Sequence, residues 1–153
     1  MAQYAYWTHG VDGQIEWPNM VLDGGQGTPV GHPRRAGFGL CVRQNAGTTN
    51  WFHFAIPTPT KLHDDASIWL KNIHLRIEVN ENAMVDSVHL WDGGSRFQTW
   101  DNLSLVGQSI DQDFDNPDHN TSSGIVVCVL VKFLDGNETG QVTFVSAGGR
   151  YHS

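Results

Sequence analysis

From Ile73 to Val79 the chain alternates strictly: Ile73, Leu75, Ile77 and Val79 are apolar, and His74, Arg76 and Glu78 between them are polar or charged. Period two puts successive side chains on opposite faces, so the segment is a strand with one buried and one wet face. The run IVVCVLVKFL at 125 to 134 is apolar on both faces until Lys132, the pattern of a strand in the middle of a sheet. Val126, Cys128 and Leu130 take one side and Val127, Val129 and Val131 the other. Similar runs rich in aromatic and β-branched residues occur at 4 to 9, 14 to 22, 38 to 44, 50 to 56, 84 to 91, 95 to 100 and 141 to 147. Only 62 to 70 is ambiguous, since Leu62, Ala66, Trp69 and Ile73 also fit one helical face, and at most a helical turn is expected there.

Asp-Gly pairs at 12 to 13, 23 to 24, 92 to 93 and 135 to 136 each follow a β run and suit the positive φ of tight hairpins. Nine or so short strands with this punctuation predict an all-β chain, an antiparallel β-sandwich of jelly-roll or other Greek-key type, with a closed barrel as second choice. No linker, low-complexity tract or repeat divides residues 1 to 153, so one domain is expected.

Charge narrows the partners. Nine Lys and Arg against sixteen Asp and Glu give a net charge of -7, which removes the phosphate-neutralising attraction behind nucleic-acid affinity and disfavours an anionic membrane surface. The N-terminal MAQYAYWTHGVDG has neither the basic nor the apolar region of a secretory signal, so a cytoplasmic location is favoured unless a signal has been removed. On that basis the sequons at Asn102, Asn120 and Asn137 read as chance. Cys41 and Cys128 lie in predicted strands and read as reduced, small hydrophobes, with one inter-strand disulfide as the alternative.

In NWFHFAIPTP, residues 50 to 59, strand phase sends Phe52, Phe54 and Ile56 to the core and turns His53 outward beside Trp51. Pro57 and Pro59 end the strand. The same phase groups His74 with Arg76 and Glu78, and His89 with Trp91 opposite Val88 and Leu90. If these strands are neighbours in one sheet, that sheet presents histidines, tryptophans and a charged pair on one side.

The run Trp51 to Pro59, preceded by Arg34-Arg35-Ala36-Gly37-Phe38 and followed by H-x-W-D-G at His89 to Gly93, resembles a family of small microbial β-sandwich proteins of unknown function. The resemblance spans most of the chain. It implies the β architecture and carries over no activity and no catalytic residue.

The most metal-like stretch is Asp111 to Asp118, where Asp111, Asp113 and Asp115 alternate. Calcium needs six to eight oxygens, and the stretch fails as an EF-hand, with Asn116 and Ser122 where the glycine and the bidentate glutamate belong. It reads first as a solvated acidic loop, with calcium as the alternative. No His-x-His occurs, so a transition metal would need histidines from separate strands. The glycine-rich stretch 24 to 31 lacks a P-loop ending, and no G-x-S-x-G elbow supports a serine triad. No motif calls for a cofactor.

Three function classes follow. The first is a binder of a small molecule or glycan, using Trp51, Trp91 and Trp100 with His74 and Arg76. The second is a cofactor-independent cyclase, isomerase or lyase in which His53 or His89 moves protons and Glu78 or Asp92 orients it. The third is a structural or self-associating sandwich, a homo-oligomer.

Overall fold

The computed structural model of the chain describes residues 2–25, 27–60 and 66–153. Two antiparallel sheets face each other. One contains β1 (Gln3–His9), β3 (Val21–Asp23), β4 (Arg34–Ala36), β5 (Gly39–Gln44), β7 (Trp69–Val79), β11 (Ser109–Asn120) and β13 (Gly140–His152). The other contains β2 (Gln14–Ile15), β6 (Thr48–Ile56), β8 (Ala83–Asp92), β9 (Ser95–Trp100), β10 (Leu105–Val106) and β12 (Ile125–Phe133). The seven-stranded sheet runs β11-β7-β13-β5-β3, with β1 on β13 and β4 on β5; the six-stranded sheet runs β10-β8-β12-β6-β2, with β9 on β8. From β5 to β8, and again from β11 to β13, the chain changes sheet at each step. The result is an antiparallel β-sandwich of Greek-key type, and no closed barrel forms.

The core sits between the sheets. Phe52, Phe54, Leu90, Val127, Val129 and Val131 come from the six-stranded sheet, and Leu40, Ile73, Leu75, Ile77, Val142 and Phe144 from the seven-stranded one, all at most 1% exposed. The layers meet at three rings, with Phe144 centred 4.6 Å from Phe52 and 5.1 Å from Phe54. Each such side chain contributes about 1.5–3 kcal/mol by leaving water. β12 lies between β6 and β8, the central place its two-faced apolar run predicts. No helix among the described residues is long and apolar enough to cross a membrane.

Four sequence readings need correction. The run 14 to 22 is not one strand: β2 and β3 are separated by a 3-10 turn at Pro18–Met20, because Pro18 cannot donate to a ladder. Of the Asp-Gly pairs, only Asp92-Gly93 makes a two-residue hairpin, with Gly93 at φ 59° and Asp92 opposite Ser95; Asp12-Gly13 ends a 3-10 turn instead. Residues 111 to 118 belong to the edge strand β11 and are not a loop, because Ile110 and Phe114 bury their side chains and the alternate aspartates take the wet face. Cys41 and Cys128 are free and lie on opposite sheets, which removes the disulfide alternative. In the ambiguous segment, Trp69 and Leu70 open β7, and 61–65 lie outside the described residues.

Candidate functional site

Register carries the site. Cys128 on β12 stands opposite His53 on β6 and opposite His89 on β8, so one row reads His53, Cys128, His89 across three adjacent strands. Trp51 and Leu130 form the neighbouring row on one side, and Val126 and Trp91 a row on the other. These residues share the outer face of the six-stranded sheet because their alternation partners, Phe52, Phe54, Val88, Leu90, Val127 and Val129, are locked in the core.

An open-sided cleft of about 410 Å³ lies over this row. Cys128 and Val126 form its floor, Trp51 and Trp91 contribute indole walls, His53 and His89 stand between, and Glu16 and Arg96 reach in from the neighbouring segments. The Trp51 and His89 rings are centred 4.9 Å apart, and the Arg96 guanidinium lies 6.0 Å over the Trp91 ring.

Each histidine has a carboxylate. His53 directs Nδ1 at Cys128 Sγ, 3.0 Å away, and Nε2 at Glu16 Oε1, 3.4 Å away. His89 places Nε2 2.8 Å from Asp101 Oδ1. The hydrogen bond from His89, helped by one from Ser87, holds the Asp101 carboxyl below its usual range. Burial, reinforced by the charge of Glu16, pushes the Cys128 thiol up to about 11, so at neutral pH it carries its proton.

The other predicted residues lie elsewhere. His74, Arg76 and Glu78 are on the outer face of the seven-stranded sheet, across the core from the cleft, because β7 belongs to that sheet. His74 there sits 2.6 Å from Asp113 Oδ1 through Nδ1 and 2.6 Å from Asp111 Oδ1 through Nε2, with Trp7 edge-on at 5.2 Å. Arg150 Nη1 adds a contact of 3.3 Å to Asp113, and Arg76 Nε lies 3.7 Å from Asp111. Of the carboxylates considered for calcium, Asp111 and Asp113 thus have arginine partners, and Asp115 accepts from Asn72 Nδ2 at 3.5 Å. Among the described residues no group of three or more His, Cys, Asp or Glu is arranged to hold a metal ion.

Trp100 turns inward, its ring 5.4 Å from Phe114, and packs against the core. Asp92 also points inward and orients neither His53 nor His89. Its Oδ1 accepts from the backbone N–H of Ser123 and Gly124 at 2.8 and 3.0 Å, and its Oδ2 from Ser122 N–H at 2.8 Å and from His119 Nε2 at 2.9 Å. Burial opposes ionisation there, but the bonds from Gly124, His119, Ser123 and Ser122 prevail and hold the carboxyl well below the usual range. Phe97 stacks on His119 at 3.7 Å. This is a clasp joining β8 to the turn before β12.

Strand phase misses three groups that line the cleft, Cys128, Glu16 and Arg96, and a fourth, Asp101, that bonds His89. Cys128 reads as a small hydrophobe, and Glu16 falls in a stretch that reads as one strand although it lies just past the short β2, where Gln14 faces His53. Asp101 and Arg96 are placed by the β8–β9 hairpin, in which Trp91 faces Arg96 and His89 faces Thr99; only that register, invisible without the partner strand, points to them.

A search of curated proteins finds no match. Among solved structures the chain is similar to the insecticidal crystal protein Cry2Aa, at a TM-score of 0.50 and 10% identity over 95% of this chain and 21% of that one. It is also similar to a low-affinity xylan binding module, CBM86, of Roseburia intestinalis, at a TM-score of 0.49 and 15% identity over 97% and 95% of the two chains. A family two carbohydrate esterase from Cellvibrio japonicus matches at a TM-score of 0.44 and 10% identity, with 97% of this chain and 34% of that one covered. The chain therefore spans about a third of the esterase and a fifth of the crystal protein. At these identities the likenesses concern the fold. A family model matches residues 1–148, and the chain belongs to that family, described as a family of unknown function, DUF6623.

Proposed function

We propose that the outer face of the six-stranded sheet binds a small molecule or sugar with one flat apolar side, held in the cleft between Trp51 and Trp91. The observation that carries this reading is the convergence of two indoles and two imidazoles on one cleft of about 410 Å³. That volume falls within the roughly 300–1,000 Å³ of ligand sites, which are mainly apolar with a few placed polar groups. Indole faces take planar or sugar-ring surfaces, and Glu16, Arg96, His53 and His89 offer charge and hydrogen bonds to the ligand's edge.

Acid–base chemistry is a second reading, favoured by the two imidazole–carboxylate pairs, Glu16 with His53 and Asp101 with His89. The orienting carboxylates in that reading are Glu16 and Asp101, in place of Glu78 and Asp92.

The test is a thermal-shift and indole-fluorescence screen with saccharides and flat conjugated compounds. A ligand at a hundred times its Kd adds about 2.7 kcal/mol to the folded state. A binder should lose its effect in Trp51→Ala and Trp91→Ala proteins. A response that survives both substitutions would place the ligand elsewhere and overturn the reading.

A further inference from the structure

Binding alone makes no use of the thiol at the floor of the cleft. Cys128 is 6% exposed, its Sγ lies 3.0 Å from His53 Nδ1, and Glu16 stands at the other ring nitrogen. A carboxylate at Nε2 favours the tautomer with its proton there, which leaves the Nδ1 lone pair to accept from the thiol S–H. Glu16, His53 and Cys128 thus form a carboxylate–imidazole–thiol relay, the general arrangement of a nucleophile with an oriented base. Cys41 provides the contrast within the same molecule. It is also buried, and burial raises its thiol, but the side chain it hydrogen-bonds is Thr143.

We propose that Cys128 is the nucleophile of the cleft and that its ligand is a flat conjugated carbonyl compound, to which the thiol adds. The proposal rests on the binding reading and names its ligand class. Two indole walls select a planar molecule, and Arg96 supplies a cation for the far end of a conjugated system, where negative charge develops. Sγ bonds to the β-carbon while the S–H proton passes to His53 Nδ1. The carbon–carbon π pair becomes an enolate, and His53 then returns the proton to the α-carbon. One S–C and one C–H bond form, one S–H and one π bond break, and neither oxidant nor leaving group is needed. Because the thiol rests in its protonated form, the reaction waits for His53 to act as base.

N-ethylmaleimide, a flat conjugated carbonyl, is the probe. Native protein at neutral pH is treated briefly, then read by intact mass and peptide mapping. A single adduct at Cys128 is expected, with Cys41 unmodified in the same period. His53→Gln should slow the Cys128 reaction by about a hundredfold, the scale of general-base assistance. Glu16→Gln, at an exposed position, should slow it less and, because the Glu16 charge helps hold the Cys128 thiol up, lower the pH at which the rate increases. Equal labelling of both cysteines, or an unchanged rate in both variants, would overturn the proposal. The binding reading is followed separately by indole quenching in Cys128→Ser protein, which cannot form the adduct. Quenching there without a wild-type adduct removes the nucleophile alone, whereas loss of both removes the cleft as a site.

Discussion

His53 and Cys128 face each other across neighbouring strands in strict register, with the imidazole nitrogen 3.0 Å from the sulfur, while their chain neighbours Phe52 and Val129 are fully buried on the other side of the same sheet. The cleft is thus the reverse side of the core.

His53 hangs on the wet side of that arrangement with a side chain 29% exposed. His53→Gln should therefore shift stability by less than about 1 kcal/mol, as for other part-exposed polar pairs, while abolishing the cleft's ligand response. Thermal melts with and without ligand check both halves. A melting point several degrees lower with the ligand response intact would make His53 scaffold.

Val129 is 0% exposed at the middle of β12. Val129→Asp places an unpaired charge in the core at a cost of several kcal/mol, against a total stability of about 5–15 kcal/mol. The expected outcome is loss of the cooperative thermal transition, seen by circular dichroism.

Asp92 links acid stability to the clasp. Its carboxyl titrates below the ordinary value of 3.8 in the folded chain, so its contribution is complete above about pH 4 and is lost as the pH falls toward the folded value. Asp92→Asn should cost about 2–4 kcal/mol at neutral pH, since one amide oxygen replaces two charged acceptors. The difference between the proteins should shrink on acidification below pH 4. Urea unfolding across pH measures it.

His74 is a control from the opposite face. Both its ring nitrogens meet carboxylates, but Asp111 and Asp113 are 58% and 36% exposed, so His74→Gln should cost less than about 1 kcal/mol. Because the core separates it from the cleft, ligand response and Cys128 labelling should match wild type.

The outward phase of Trp51, His53, His89 and Trp91 was legible, because alternation within one strand fixes which residues share a side. Which strands adjoin was not. The run 73 to 79 carries the same signal as 84 to 91, yet β7 crosses to the other sheet and takes His74, Arg76 and Glu78 with it. Asp92 continues the inward phase of Val88 and Leu90, and only the folded-back backbone of 122 to 124 turns it into a clasp. Acidic alternation at 111 to 115 looks like a solvated loop until β7 supplies the pairing that makes it an edge strand.

The cleft divides into parts with unequal freedom to change. Its floor, Cys128 and Val126, alternates with valines that hold the two sheets together, so substitutions that shift this strand's backbone disturb the core as well. The rim is different: Glu16 follows a two-residue strand, and Arg96 belongs to an edge hairpin. Exchanges of these rim side chains leave the hydrophobic layer untouched, so long as Ile15, Phe97 and Trp100 beside them keep their packing against the core. Divergence of ligand preference among relatives should therefore concentrate at the rim over a nearly invariant floor, and a redesign for a new ligand should begin at the same two edges.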